Sequence, residues 1–263
     1  MEQTLLSEKL RELAEKYSIA GNVTVGFEPG AIIVQCDKGK FRFYYDFSRS
    51  LPNDEQTNVP LLHWRLKRRY LELRNVLLQE LVKTTLAMRI HHIVPRDDFT
   101  ASLRDVLFME TDLIQWISGD TVNKVFATMD GAYMNGILST AGGIKASMEL
   151  GIVPDGSQPV LLHEIIAKTG IISDVVVDTQ TQQYPIYVFN GPKTTMYTDI
   201  DNELYGLTQT ECDATRFILW ALGDSGHVIE AQDAAHSILA VVKAADKSAK
   251  AIVYTSVEGG RLA

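Results

Sequence analysis

Leu6, Leu10, Leu13 and Tyr17 recur every three or four positions, so residues 4 to 18 are expected to form an amphipathic helix. The period then shortens. Residues 22–27, 31–36 and 40–47 are rich in β-formers and are parted by Glu28-Pro29-Gly30 and Asp37-Lys38-Gly39, two strong turn signals, which predicts a small α-β-β-β unit. Residues 48–58 are polar and read as a linker. Pro60 suits the first turn of a helix, and Leu62, Leu66, Tyr70, Leu73, Leu77 and Leu81 mark an apolar stripe over residues 60 to 83. Arg65, Lys67, Arg68, Arg69 and Arg74 are distributed around that stripe and are expected to form a solvated flank.

Residues 86–94 read as a strand, and residues 101–118 as a helix that turns Leu103, Val106, Leu107, Leu113, Ile114 and Ile117 inward. The chain then becomes a succession of β-type runs at 122–129, 133–139, 144–150, 160–167, 172–178 and 185–189, with Gly or Pro near most connections. Such a run predicts an antiparallel meander. Two helices close the chain, at about 211–222 and 232–247. Thr208 and Glu211 have the spacing of a capping box for the first, and Ala235, Ile238, Leu239, Val242 and Ala245 form the buried stripe of the second. The expected fold class is α+β: a large open, mainly antiparallel sheet with helices packed on one face, plus the small N-terminal unit. The expected division is residues 1–58 for the small unit and its linker, and 59–263 for the larger domain.

Composition narrows the function classes. With 46% hydrophobic residues in 263, the chain can build a substantial core. A net charge of −8 disfavours nonspecific nucleic-acid binding, which depends on a basic surface. No run approaches the roughly 20 apolar residues of a membrane span. The N-terminus shows no secretory pattern, so a cytoplasmic location is expected. Cys36 and Cys212 lack any partner spacing and are read as reduced, buried thiols.

Candidate chemistry is sparse. His91 and His92, adjacent on a strand, point to opposite faces and do not make a metal site together, and His163 is read as a surface or satisfied histidine. No Gly-rich strand-turn-helix unit for a dinucleotide is evident: Gly142-Gly143 lies between two strands. Asp105, Met109, Asp112 and Trp116 share one helical face, so two acids bracket a methionine.

The segment Asp105-Val-Leu-Phe-Met109-Glu-Thr-Asp112-Leu-Ile-Gln-Trp116-Ile-Ser-Gly119 resembles the pattern D-x-x-x-H-x-x-D-L-x-x-W-x-x-G of the glucose-fructose oxidoreductase, inositol dehydrogenase and rhizopine-catabolism (Gfo/Idh/MocA) family. Gly131 to Gly136, Gly143 to Gly151, Lys168-Thr169-Gly170 and Asp233 to Ser248 recur in the family's order, so the likeness covers about residues 65 to 252, the C-terminal half of a family member without its nucleotide-binding half. The resemblance implies an NAD(P)-dependent sugar or polyol oxidoreductase ancestry and a homo-oligomer joined through the open sheet. It also places Met109 where the family carries its acid/base histidine, and a thioether neither accepts nor donates a proton at neutral pH. Three readings therefore stand side by side. The first is a noncatalytic protein without a cofactor that assembles, or binds a sugar or polyol through Asp105, Met109, Asp112 and His163. The second is an oxidoreductase subunit that relies on NAD(P) held by a separate partner, with His163 or His92 as acid/base. The third is a polyol sensor.

Overall fold

The computed structural model describes residues 3–47, 58–96, 102–154, 159–174, 186–190, 193–197 and 207–257. They fall into two compact units: residues 1–67 with 201–235, and residues 68–200 with 236–263. The expected cut at 58/59 falls inside the first segment of the smaller unit, which runs to residue 67. Residues 201–235 return to it, because the helix they contain packs on elements from the beginning of the chain.

In the smaller unit, α1 (Gln3–Lys16) buries Leu6, Leu10, Leu13 and Ala14. Strands β1 (Thr24–Glu28), β2 (Ala31–Cys36) and β3 (Gly39–Tyr44) form an antiparallel meander, and β4 (Asn58–Pro60) adds to β3 in parallel. The β1–β2 turn needs Gly30, which has φ +77°; a Cβ there would stand 2.6 Å from the Cβ of Asp46. Edge-to-face contacts link Tyr44 to Phe47 and Phe47 to Trp64, with ring centroids 5.6 and 5.9 Å apart. Helix α4 (Gln209–Gly223) starts with the expected capping box, in which Thr208 and Glu211 satisfy each other's backbone amides, and it packs against α1 and the 3-10 turn His63–Leu66.

The helix expected over 60–83 is shorter than its stripe. Residues 58–60 are strand, 63–66 a 3-10 turn, and only α2 (Arg68–Leu78) is α-helical. Lys67, extended at φ −65° and ψ 128°, interrupts the run before α2. At the other end Glu80 takes φ 52° while the Leu81 amide donates back to the Val76 carbonyl, a C-terminal wrap that stops the helix before the stripe ends.

The larger unit is built on a nine-stranded sheet. Its strands are β5 (Thr85–Pro95), β6 (Val122–Asp130), β7 (Tyr133–Thr140), β8 (Lys145–Val153), β9 (Val160–Ala167), β10 (Gly170–Ser173), β11 (Ile186–Asn190), β12 (Lys193–Tyr197) and β13 (Thr255–Ser256). Their order is β12-β11-β10-β9-β5-β8-β7-β6-β13. The predicted meander is present, with one departure: β5 enters between β8 and β9, antiparallel to β9 but parallel to β8. The run expected at 172–178 ends at Ser173 as a strand, and its residues 175–178 lie outside the described residues, as do Pro185 and residues 48–57 of the expected linker 48–58, whose last residue opens β4.

Alternation places Met88, Ile90 and His92 of β5, Met134 and Leu138 of β7, Ala146, Met148 and Leu150 of β8, and His163, Ile165 and Ala167 of β9 on the buried face. Helix α3 (Leu103–Ser118) lies against β5, β7 and β8, and packs on α2. The opposite face carries Arg89, Glu149 and Glu164 among apolar side chains; Val160, Tyr133 and Ile171 are 43%, 38% and 44% exposed there. Helix α5 (Ser225–Ala251) ends in this unit, where the Ser248 hydroxyl accepts from the Ala127 amide at 3.0 Å and donates to the Val253 carbonyl at 2.6 Å. Among the described residues no helix is long and apolar enough to cross a membrane.

Candidate functional site

Helix α3 presents its residues differently from a simple reading of one face. Asp105 is occupied at the helix start: its Oδ2 accepts from the Ser102 amide at 2.8 Å and the Ser102 hydroxyl at 2.7 Å, while the Asp105 amide donates to Ser102 Oγ at 3.3 Å. Asp112 is buried, Met109 half-buried, and Trp116 lies under the Arg74 guanidinium at 4.6 Å. Of the four residues singled out from the sequence, His163 reaches α3 at Glu110, the residue after Met109.

Around that contact lies a buried polar cluster of the larger unit. His163 Nε2 lies 3.0 Å from Glu110 Oε2 and its Nδ1 2.8 Å from Asp174 Oδ2, both at hydrogen-bond distance. The other oxygen of Glu110 accepts from His92 Nδ1. The remaining oxygen of Asp174 accepts from the His163 amide, and its Oδ2 also meets the Arg69 guanidinium. The Tyr70 ring stands edge-on to His163 at 5.1 Å. The series Arg69–Asp174–His163–Glu110–His92 thus ties α2, the residue after β10, β9, α3 and β5 together, and each member is buried. Arg69 was expected on a solvated flank, as was Arg65; both are buried because each meets a carboxylate, Arg65 pairing with Glu230 at 3.0 Å in the smaller unit.

On Glu110, His163 and Asp174 burial opposes the charge, and the partners outweigh it. Burial alone would push Glu110 up, but His163 and His92 hold its carboxyl well below the usual carboxylate range. Burial would likewise lower His163, but Glu110 and Asp174 raise its pKa to about 9. Asp174, opposed by burial, is held low by Arg69 and His163. A cavity of about 10 Å³, lined by Leu73, Met88, Ile90, Leu113, Ile117 and His163, adjoins the cluster. It has room for about one water and not for a polyol.

Sequence reading missed the cluster because its members are far apart along the chain. The signal available was parity: His92 continues Met88-x-Ile90, and His163 begins x-Ile165-x-Ala167, so both imidazoles occupy inward slots of otherwise apolar faces. A buried imidazole needs partners, and Glu110 is one of three buried acids on α3, with Asp105 and Asp112.

No protein-family model and no curated protein matches the sequence. Solved structures do match. An oxidoreductase from Agrobacterium radiobacter, in complex with NAD+, L-tartaric acid and magnesium, superposes with a TM-score of 0.62 at 15% identity, over 76% of this chain and 65% of that one. A scyllo-inositol dehydrogenase from Lactobacillus casei with bound NAD(H) and scyllo-inositol gives 0.54 at 14%, over 76% and 64%. Over about three quarters of the chain the fold is that of a Gfo/Idh/MocA-like C-terminal domain. The transcriptional regulator Gal80p from Kluyveromyces lactis is similar to the same degree, with a TM-score of 0.59 at 12% identity, over 77% of this chain and 62% of that one. The chain spans a little under two thirds of the length of these structures.

The described residues of this Gfo/Idh/MocA-like fold do not fit a dinucleotide at the one paired glycine they contain. A pyrophosphate needs free backbone amides. In the β7–β8 turn the Gly142 amide donates to Asp120 Oδ2 and the Gly143 amide to the Thr140 carbonyl, so both are committed.

Proposed function

We propose that this chain is a noncatalytic user of the Gfo/Idh/MocA-like fold that works by assembly with further copies of itself across the open face of the nine-stranded sheet. The observation that carries the reading is the fate of the proton carriers. Met109 stands at the helix position where the resemblance places a histidine, and the two inward histidines cannot replace it: His163 has both ring nitrogens committed to carboxylates, and His92 is buried and bonded to Glu110. A general acid or base must reach the substrate proton it transfers. The same geometry weakens the polyol reading, since Asp105 serves the helix start and the cavity beside His163 holds no more than a water. That Gal80p is described as a transcriptional regulator supports the fold serving outside catalysis.

Val160, Tyr133 and Ile171 give the open face an apolar character that water alone covers poorly, while Arg89 and Glu164, paired at 2.8 Å, place both signs of charge on it, as a self-complementary contact requires. Sedimentation velocity at micromolar concentration should give a dimer or larger species, and Val160→Arg should dissociate it with the far-UV circular dichroism unchanged. A wild-type monomer, or polyol-dependent reduction of NAD(P) by the chain, would overturn the proposal.

A further inference from the structure

Hydrogen-bond accounting at His163 leads beyond its role as an occupied residue. An ionised carboxylate only accepts, so an imidazole whose two nitrogens each address a carboxylate can satisfy both only by carrying a proton on each. A neutral imidazole in this position would turn a lone pair on either Glu110 or Asp174. The charge count supports the same species: Arg69 and a charged His163 balance Glu110 and Asp174, two against two, in a region that excludes water. His92 closes the set by giving one N–H to Glu110.

We propose that His163 is kept as an imidazolium, and that this cation is the keystone of a pH-sensitive latch fastening α2 and α3 to the β5–β9–β10 part of the sheet. Loss of its second proton to solvent hydroxide opens the latch, because two buried carboxylates then face a single guanidinium and one of them faces a lone pair. The groups facing His163 are Glu110 from α3, Asp174 after β10, Tyr70 from α2 and His92 from β5, with Arg69 of α2 behind Asp174. The carboxylates of Glu110 and Asp174 hold the proton on His163 until the solution becomes alkaline. Asp174 couples the event to the backbone, since it also holds the His163 amide.

The test uses the full chain labelled with nitrogen-15 at histidine. Long-range proton–nitrogen correlations should show both His163 ring nitrogens protonated at pH 7 and a transition near pH 9. Amide exchange at Ile165 and Ile172, corrected for base catalysis, should lose about tenfold protection per pH unit above that transition. Amides of Ile32 and Val34, in the other unit, should keep theirs. A neutral His163 tautomer at pH 7 would overturn the proposal, as would corrected protection that is constant to pH 10 or lost equally in both units. Glu110→Gln should move the His163 transition to lower pH; a transition unmoved by that change would also count against the latch.

Discussion

Glu110 is the most exacting place to test the energetics, because its carboxylate serves two imidazoles at once and no part of it reaches solvent. Glu110→Ala leaves the His163 imidazolium with Asp174 alone on one side and a lost acceptor on the other, and strips His92 Nδ1 of its partner. Removing one member of a buried, hydrogen-bonded ion pair costs about 3–5 kcal/mol, a large share of the roughly 5–15 kcal/mol that holds a domain together. At about 2–4 °C per kcal/mol for a unit of this size, the midpoint should fall by ~6–20 °C. The measurement has to report the larger unit by itself. Trp64, Trp116 and Trp220 are the three tryptophans, and only Trp116 lies in that unit. Fluorotryptophan labelling followed by fluorine-19 NMR during a urea titration therefore reads Trp116 separately. Glu110→Gln, which keeps the shape and one acceptor, should lose less than Glu110→Ala. If Glu110→Ala shifts the Trp116 transition by less than about 0.5 kcal/mol, the cluster is not a cohesive element and the reasoning fails.

The two units should answer pH with opposite signs. Burial and the nearby Lys67 charge, opposed by a bond to the Leu61 carbonyl, depress His63 to about 3, so the smaller unit's contribution from His63 is present above about pH 6.5 and is lost as pH falls toward 3. His163 is raised to about 9, so its contribution is complete below about pH 6.5 and is lost as pH rises through 9. Urea midpoints read at Trp64 and Trp116 from pH 4 to 10 check both slopes, and His63→Asn or His163→Gln should flatten the corresponding one. Ser248→Ala should cost about 1–3 kcal/mol by orphaning the Ala127 amide, seen as faster exchange at Ala127. Gly30→Ala should destabilise the smaller unit by at least about 1–2 kcal/mol through its positive φ and the close Asp46 Cβ, measured by thermal unfolding. Ser102→Ala should cost about 1 kcal/mol and fray the first turn of α3.

What was legible in the chain is what local spacing encodes. The stripe of α3, the β-runs from Val122 to Ala167 and the Thr208–Glu211 capping box are each written within a few residues, and each is found in place. The stripe from Leu62 to Leu81 misled because burial needs only apolar side chains at intervals, and a strand end, a 3-10 turn and a helix supply them as well as one long helix does. The site was harder to read. His92, Glu110, His163 and Asp174 come from β5, α3, β9 and the residue after β10, and nothing local announces that they meet. Attention to the face of Asp105 and Met109 looked about 100° around the helix from Glu110. Likewise, the burial of Arg65 and Arg69 depends on carboxylates more than a hundred residues distant.

The position of β5 bears on how the larger unit assembles itself. Its neighbours β8 and β9 lie roughly 60 and 70 residues downstream, whereas β6, β7 and β8 pair through short turns. The β6–β8 hairpins can therefore zip early, while β5 waits for β8 on one edge and for the chain beyond Val160 on the other. The parallel β5–β8 pairing is a late, long-loop closure, and the sheet becomes continuous only when β9 arrives to cover the other edge of β5. A stalled or truncated chain ending before Val160 would leave the β9-facing edge of β5 open, a template for pairing with another chain.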